Sequence, residues 1–62
     1  MKKLKDYVNN ILKEMEVDLY VSDDEIQIRD NDLYIFDPEN LTGIALGSMG
    51  DGWVCLVEEF KA

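Results

Sequence analysis

The chain has 62 residues, of which 47% are apolar and 32% charged, with a formal charge of −8, one cysteine and no histidine. So short a chain buries only about 60% of the surface it exposes when unfolded, so we expect a single domain over residues 1–62 with a small core. One cysteine excludes an intrachain disulfide, and too few nitrogen and sulfur ligands exclude a zinc site. The remaining way to reinforce such a core is a partner subunit, and a second copy of the chain is the expectation.

The charge argues against nucleic acid and anionic membrane as direct partners, since both are polyanions, and favours a protein partner with a basic surface. It is also unevenly placed. Residues 1–13 set Lys2, Lys3, Lys5 and Lys13 against Asp6, whereas residues 14–62 set thirteen acids against Arg29 and Lys61. The lysine-rich start lacks the continuous apolar run of a signal peptide, being interrupted by Lys5, Asp6, Asn9, Asn10 and Lys13. No stretch approaches the roughly 20 apolar residues of a membrane span. These features lead to the expectation of a cytoplasmic protein with a reduced thiol.

Leu4, Tyr7, Val8, Ile11, Leu12 and Met15 recur in steps of three and four, which predicts an amphipathic helix over residues 3–15. Lys3, Asp6, Asn9, Asn10, Lys13 and Glu14 fill its polar face. After Glu16 the period becomes two. Val17, Leu19 and Val21 alternate with Asp18 and Tyr20, which predicts a strand. Ser22 to Glu25 read as a turn of short polar residues. Ile26 and Ile28 then point inward between Glu25, Gln27 and Arg29. Asp30 to Asp32 make a second tight turn into Leu33–Phe36, apolar on both faces.

Pro38 sets a loop after Asp37. The segments 44–49 and 53–60 flank Gly50-Asp51-Gly52, a hairpin signal because Asp-Gly suits positive φ. The fold class predicted is α+β, with one N-terminal amphipathic helix packed on a small antiparallel sheet of four to five strands. One short helix cannot cover Tyr34, Phe36, Trp53, Cys55 and Val57 together with Val54 and Leu56. Either the sheet curls on itself to bury some of them or, the favoured expectation, an apolar face meets another chain.

The catalytic and ligand motifs fail one by one. A calcium loop begun at Asp30 has Asp32 in third place, but Tyr34, Ile35 and Leu41 fall where an oxygen, a glycine and a glutamate are needed. The glycines between Thr42 and Gly52 lack the lysine and the following helix of a phosphate loop, and a dinucleotide fingerprint fails on spacing. Cys55, Ser22, Ser48 and Thr42 have no histidine base, so Cys55 is expected to be a small buried hydrophobe. Paired-carboxylate catalysis needs a cleft that one helix and one small sheet hardly provide. The expectation is a protein without enzymatic activity, cofactor or metal.

What remains is surface. The acids fall in two groups: Asp23, Asp24, Glu25, Asp30, Asp32, Asp37 and Glu39 come from successive turns and one strand, and Glu58 and Glu59 end the last strand; alternate turns of an antiparallel sheet share an end. A dense acidic end or edge is expected, which either steers onto a basic groove or serves only to keep a small dimer soluble and its sheet edges from pairing. Tyr34, Phe36, Trp53 and Tyr20 would supply apolar anchors. In size, charge and want of catalytic residues the chain is similar to small acidic phage inhibitors and to immunity proteins that neutralise nucleases. That resemblance implies an inhibitor of a nucleic-acid-handling bacterial protein, such as a defence nuclease or helicase. The partner-binding residues would be Asp23, Asp24, Glu25, Asp30, Asp32, Tyr34, Phe36 and Trp53. The alternatives are an accessory subunit docking through the aromatic face and a nuclease-immunity role.

Overall fold

The computed structural model describes residues 4–39, 43 and 46–61. One helix, α1 (Leu4–Glu14), precedes four strands: β1 (Ile26–Arg29), β2 (Asp32–Phe36), β3 (Ser48–Gly50) and β4 (Trp53–Val57). All pairings are antiparallel, in the order β1-β2-β4-β3. This is the α+β architecture of one helix and a small antiparallel sheet.

The apolar stripe of α1 makes it a lid for one face of the sheet. Val8 and Leu12 are fully buried and pack with Ile26, Leu33, Ile35, Val54, Leu56 and Phe60, with Leu4 and Ile11 at the margin. At the N-terminal end of α1, the Lys5 N–H donates to Asp23 Oδ1 at 3.3 Å. A carboxylate there satisfies an otherwise open donor and complements the helix dipole. At the C-terminal end, Glu16 N–H bonds the Lys13 carbonyl at 3.0 Å and Val17 N–H bonds the Leu12 carbonyl at 2.9 Å. With Glu16 at φ 62, this is a Schellman motif that turns the chain back along the helix.

The expected strand over residues 17–21 does not form. The segment is extended and alternates as anticipated, with Val21 buried and Asp18 and Tyr20 exposed, but it joins no sheet. Its backbone finds a side-chain partner instead. Asn9 Nδ2 donates to the Val21 carbonyl at 2.7 Å, and Val21 N–H donates to Asn9 Oδ1 at 2.8 Å. Asn9, expected on the polar face of the helix, therefore faces this segment. The turn over residues 22–25 is a single 3-10 turn at Asp23–Glu25.

Both short hairpins form. Asp30 and Asn31 have φ of 52 and 70, and Asp51 and Gly52 have φ of 53 and 86, so each turn has two successive left-handed residues. That matches strand twist and lets a two-residue loop close an antiparallel pair. Glycine is required at position 52 for a further reason: a Cβ there would lie 3.0 Å from Phe36 Cε1 and 3.0 Å from Pro38 Cα.

Three further expectations are corrected. Ile28 lies on the helix-side face but stays 43% exposed, because it sits near the end of an edge strand. The last strand stops at Val57, and Glu58 and Glu59 form a turn in which Glu59 has φ 58. Residues 44 and 45, the start of another expected strand, lie outside the described residues, and among the described residues β3 spans Ser48–Gly50, so Leu46 and Gly47 of that expected strand are not part of it.

Candidate functional site

The strand order decides where the acids go. β2 and β4 are neighbours, with Leu33 opposite Val57. The start of β2 and the end of β4 therefore share one end of the sheet, together with the Asp30-Asn31 turn. Glu59 N–H donates to Asp32 Oδ1 at 2.9 Å, tying the two loops together. Asp30, Asp32, Glu58 and Glu59 thus form one acidic end, exposed except for a half-buried Asp32.

Asp23, Asp24 and Glu25 lie at the opposite end, separated from Asp30 by the length of β1, about 13 Å at ~3.3 Å per residue. The single dense acidic surface expected from the sequence is therefore two ends. The second end is also committed to local structure. Asp23 caps α1 as described. The Ser22 hydroxyl lies 2.7 Å from Asp24 Oδ1 and 2.9 Å from Glu25 Oε1, and Ser22 N–H donates to the same Glu25 oxygen at 3.2 Å. These carboxylates hold the chain's entry into β1. Asp37, also expected among the surface acids, is 2% exposed, and its N–H bonds the Gly52 carbonyl at 2.6 Å.

The sheet face away from α1 carries Tyr34, Phe36, Trp53 and Cys55. Phe36 and Trp53 are cross-strand partners, with ring centroids 5.4 Å apart in an edge-to-face arrangement. This geometry suits the ring quadrupoles. All three aromatics are half-buried. Tyr34 stands opposite Cys55. From the β1 edge, an Arg29 guanidinium nitrogen reaches Met49 Sδ on β3 at 3.4 Å, spanning the sheet. Tyr20 is not part of this face. It sits 69% exposed on the segment that returns along the helix, beside Asn9 and Lys13.

Cys55 is buried, and its thiol donates to the Val57 carbonyl at 3.6 Å. Burial, and then the negative charges of Asp32 and Glu58, push its pKa above the ordinary thiol value. Such a thiol stays protonated and is a poor nucleophile. The cleft between the end of α1 and residues 16–20 is open and shallow, about 360 Å3, and is lined by Lys13, Glu16, Asp18 and Tyr20 among others. Among the described residues no group of three metal-ligating side chains is assembled, and no helix is long and apolar enough to cross a membrane. Comparison with family models, curated proteins and solved structures returns no match.

The structure thus brings together Asp30 and Asp32 in one group and Tyr34, Phe36 and Trp53 in another, and separates both from Asp23, Asp24 and Glu25. Sequence reasoning kept Glu58 and Glu59 apart from Asp30 and Asp32. A central β2–β4 pairing is the signal that joins them. Asn9 was missed because helical spacing alone places it among polar neighbours.

Proposed function

We propose that this protein is a non-enzymatic, protein-binding inhibitor that sets its acidic end onto the basic groove of a nucleic-acid-handling bacterial protein. It would be of the kind a phage directs against host defence, acting in the cytoplasm as a pair of identical chains. The observation that carries this reading is the Glu59–Asp32 bond. It holds two acidic loops together through the half-buried Asp32, so that Asp30, Glu58 and Glu59 present exposed carboxylates as one patch around it. A patch of fixed negative charge imitates a run of phosphates, speeds encounter with a basic groove and fixes register on it. Asp23, Asp24 and Glu25 are removed from the binding role by this reading, because their carboxylates already serve the backbone and Ser22.

The test is affinity capture from a bacterial lysate along a salt gradient, with the triple change Asp30→Asn, Glu58→Lys, Glu59→Lys, shown to be folded by circular dichroism, as control. A basic nucleic-acid enzyme released at moderate salt, and not retained by the triple variant, supports the reading. Retention by the variant sinks it. Salt is decisive because exposed charges are screened beyond about 8–10 Å at physiological ionic strength.

The aromatic face supports a second reading, an accessory subunit docked through Tyr34, Phe36 and Trp53. The Phe36–Trp53 pair lies half-exposed on the face that α1 leaves uncovered. A partner that survives high salt and is lost on Trp53→Ala favours this one.

A further inference from the structure

Strand β1 is one edge of the sheet, and Gln27, Ile28 and Arg29 are all exposed along it. An exposed edge is a template for another strand. Among the described residues the other edge, β3, spans Ser48–Gly50 and pairs irregularly with β4, so it is the poorer template. What distinguishes β1 is its sequence. Glu25-Ile26-Gln27-Ile28-Arg29 is self-complementary when laid antiparallel on itself. Centred on Gln27, the register sets Ile26 opposite Ile28 and Glu25 opposite Arg29, twice each by symmetry. Centred on Ile26 it sets Asp24 opposite Ile28, and centred on Ile28 it sets Ile26 opposite Asp30.

The backbone agrees with the same register. The loop between β1 and β2 has two residues, so Arg29 and Asp32 form a hydrogen-bonded pair, and so do Gln27 and Tyr34. Ile26 and Ile28 then turn their peptide groups outward. The Ile26 N–H is taken by the Asp23 carbonyl. That leaves the Ile26 carbonyl and both groups of Ile28 on the edge. In the Gln27-centred register the Ile28 N–H of each copy meets the Ile26 carbonyl of the other. The side chains fit too. Ile28 is 43% exposed on the apolar face, and a second Ile26 beside it removes that area from water. Both Ser22 bonds to Glu25 use Oε1, leaving Oε2 for a guanidinium. Arg29 would give up only a thioether contact, a weak acceptor.

We propose that two copies of this chain pair through β1, antiparallel and centred on Gln27, forming one continuous sheet closed by two Glu25–Arg29 ion pairs. The two-fold axis runs through the sheet, so both helices lie on one side and both aromatic faces on the other. The inference gives a surface to the self-association in the reading above, and its test involves no target, so either can fail without the other.

The experiment is sedimentation equilibrium over a concentration series up to millimolar, with circular dichroism confirming that each variant is folded. Arg29→Glu and Glu25→Arg each put like charges opposite one another in the pair. Each is expected to weaken self-association about tenfold or more, since directly opposed like charges destabilise paired strands. Mixing the two single variants restores both ion pairs, so the mixture is expected to form a heterodimer that neither forms alone. Ile28→Pro removes the outward N–H while leaving the β2 ladder intact, and is expected to abolish pairing. A wild-type chain that stays monomeric at millimolar concentration overturns the proposal. So does a dimer indifferent to Arg29→Glu and Ile28→Pro, which would place the contact on the aromatic face.

Discussion

The side-chain amide of Asn9 brackets the peptide groups of Val21, donating to its carbonyl at 2.7 Å and accepting from its N–H at 2.8 Å. The pair does for the extended segment what a neighbouring strand would have done. A third bond, from Asn9 Nδ2 to the Lys5 carbonyl at 2.8 Å, fixes the amide on the helix. Asn9→Ala would leave both Val21 groups without their partner in a partly buried position. The expected loss is about 2 kcal/mol, a large share of the stability of so small a domain, measured by urea unfolding. Asn9→Asp keeps the acceptor but sets a carboxylate against the Val21 carbonyl. It should be nearly as damaging at neutral pH and recover partly in acid, where the protonated carboxyl can donate.

Glu16 carries a left-handed backbone, φ 62, at the position where helices favour glycine. The Schellman bonds at Glu16 and Val17 hold it there, and a Cβ makes that conformation costly. Glu16→Gly is expected to raise stability by about 0.5–1 kcal/mol, the relief of strain exceeding glycine's extra chain entropy. Thermal unfolding should show a midpoint roughly 3–6 °C higher. An unchanged or lowered midpoint would mean that the turn tolerates glutamate without strain.

These two residues also show where the sequence was readable and where it was not. Periodicity identified α1, the Asp30–Asp32 stretch identified one tight turn and the Asp51-Gly52 pair the other hairpin, because helix stripes and tight turns depend on local chemistry. Alternation over residues 17–21 reported correctly which side chains turn inward. It could not report which groups bond the backbone, and there a helix side chain took the place of a strand. The acidic surface was misjudged for a similar reason. Residues 23–32 are close in sequence but divided by β1, whereas Asp32 and Glu59 are distant in sequence and joined by a bond. Strand order, not composition, decides which acids meet.

Gly52 is fixed by two constraints at once, a φ of 86 and the approach of Pro38 and Phe36 to within 3.0 Å of where a Cβ would stand. Pro38 presents backbone at that point, so the clash cannot be relieved by turning a side chain. Gly52→Ala is expected to cost about 2–3 kcal/mol in denaturant unfolding, strain and contact together. Asp51→Asn is the control. Asparagine tolerates the same left-handed backbone, so stability should stay within about 0.5 kcal/mol.

Asp23 separates a structural from a binding role for the acids. Its carboxylate accepts the Lys5 N–H, so Asp23→Ala should weaken α1 by about 0.5–1 kcal/mol without altering the acidic end that carries Asp30 and Glu58. Asp30→Asn, which tolerates the same left-handed backbone at φ 52, should behave in the opposite way, leaving unfolding nearly unchanged and weakening capture of a basic partner. If Asp23→Ala abolished capture while the fold remained intact, the docking surface would have to be moved to the helix end.

Cys55 makes stability depend on alkaline pH. Its pKa is raised by burial and by the charges of Asp32 and Glu58, so the unfolded thiol ionises first as pH rises. The folded state then holds more protons than the unfolded one, and the stability of unfolding against pH slopes downward. The loss begins near the ordinary thiol pKa, about 8.5, and continues until the folded thiol itself ionises. Below that window both states are protonated and the thiol contributes no pH dependence. Cys55→Ala should therefore show a flatter decline than the wild-type chain between about pH 8 and 10, although its stability at pH 7 is lower for the small cavity left behind. Alkylation should agree: iodoacetamide should react with the native chain far more slowly than with the urea-unfolded chain at the same pH. Equal rates would mean that the sheet face opens often enough to expose the thiol, and the flattening in Cys55→Ala should then be absent.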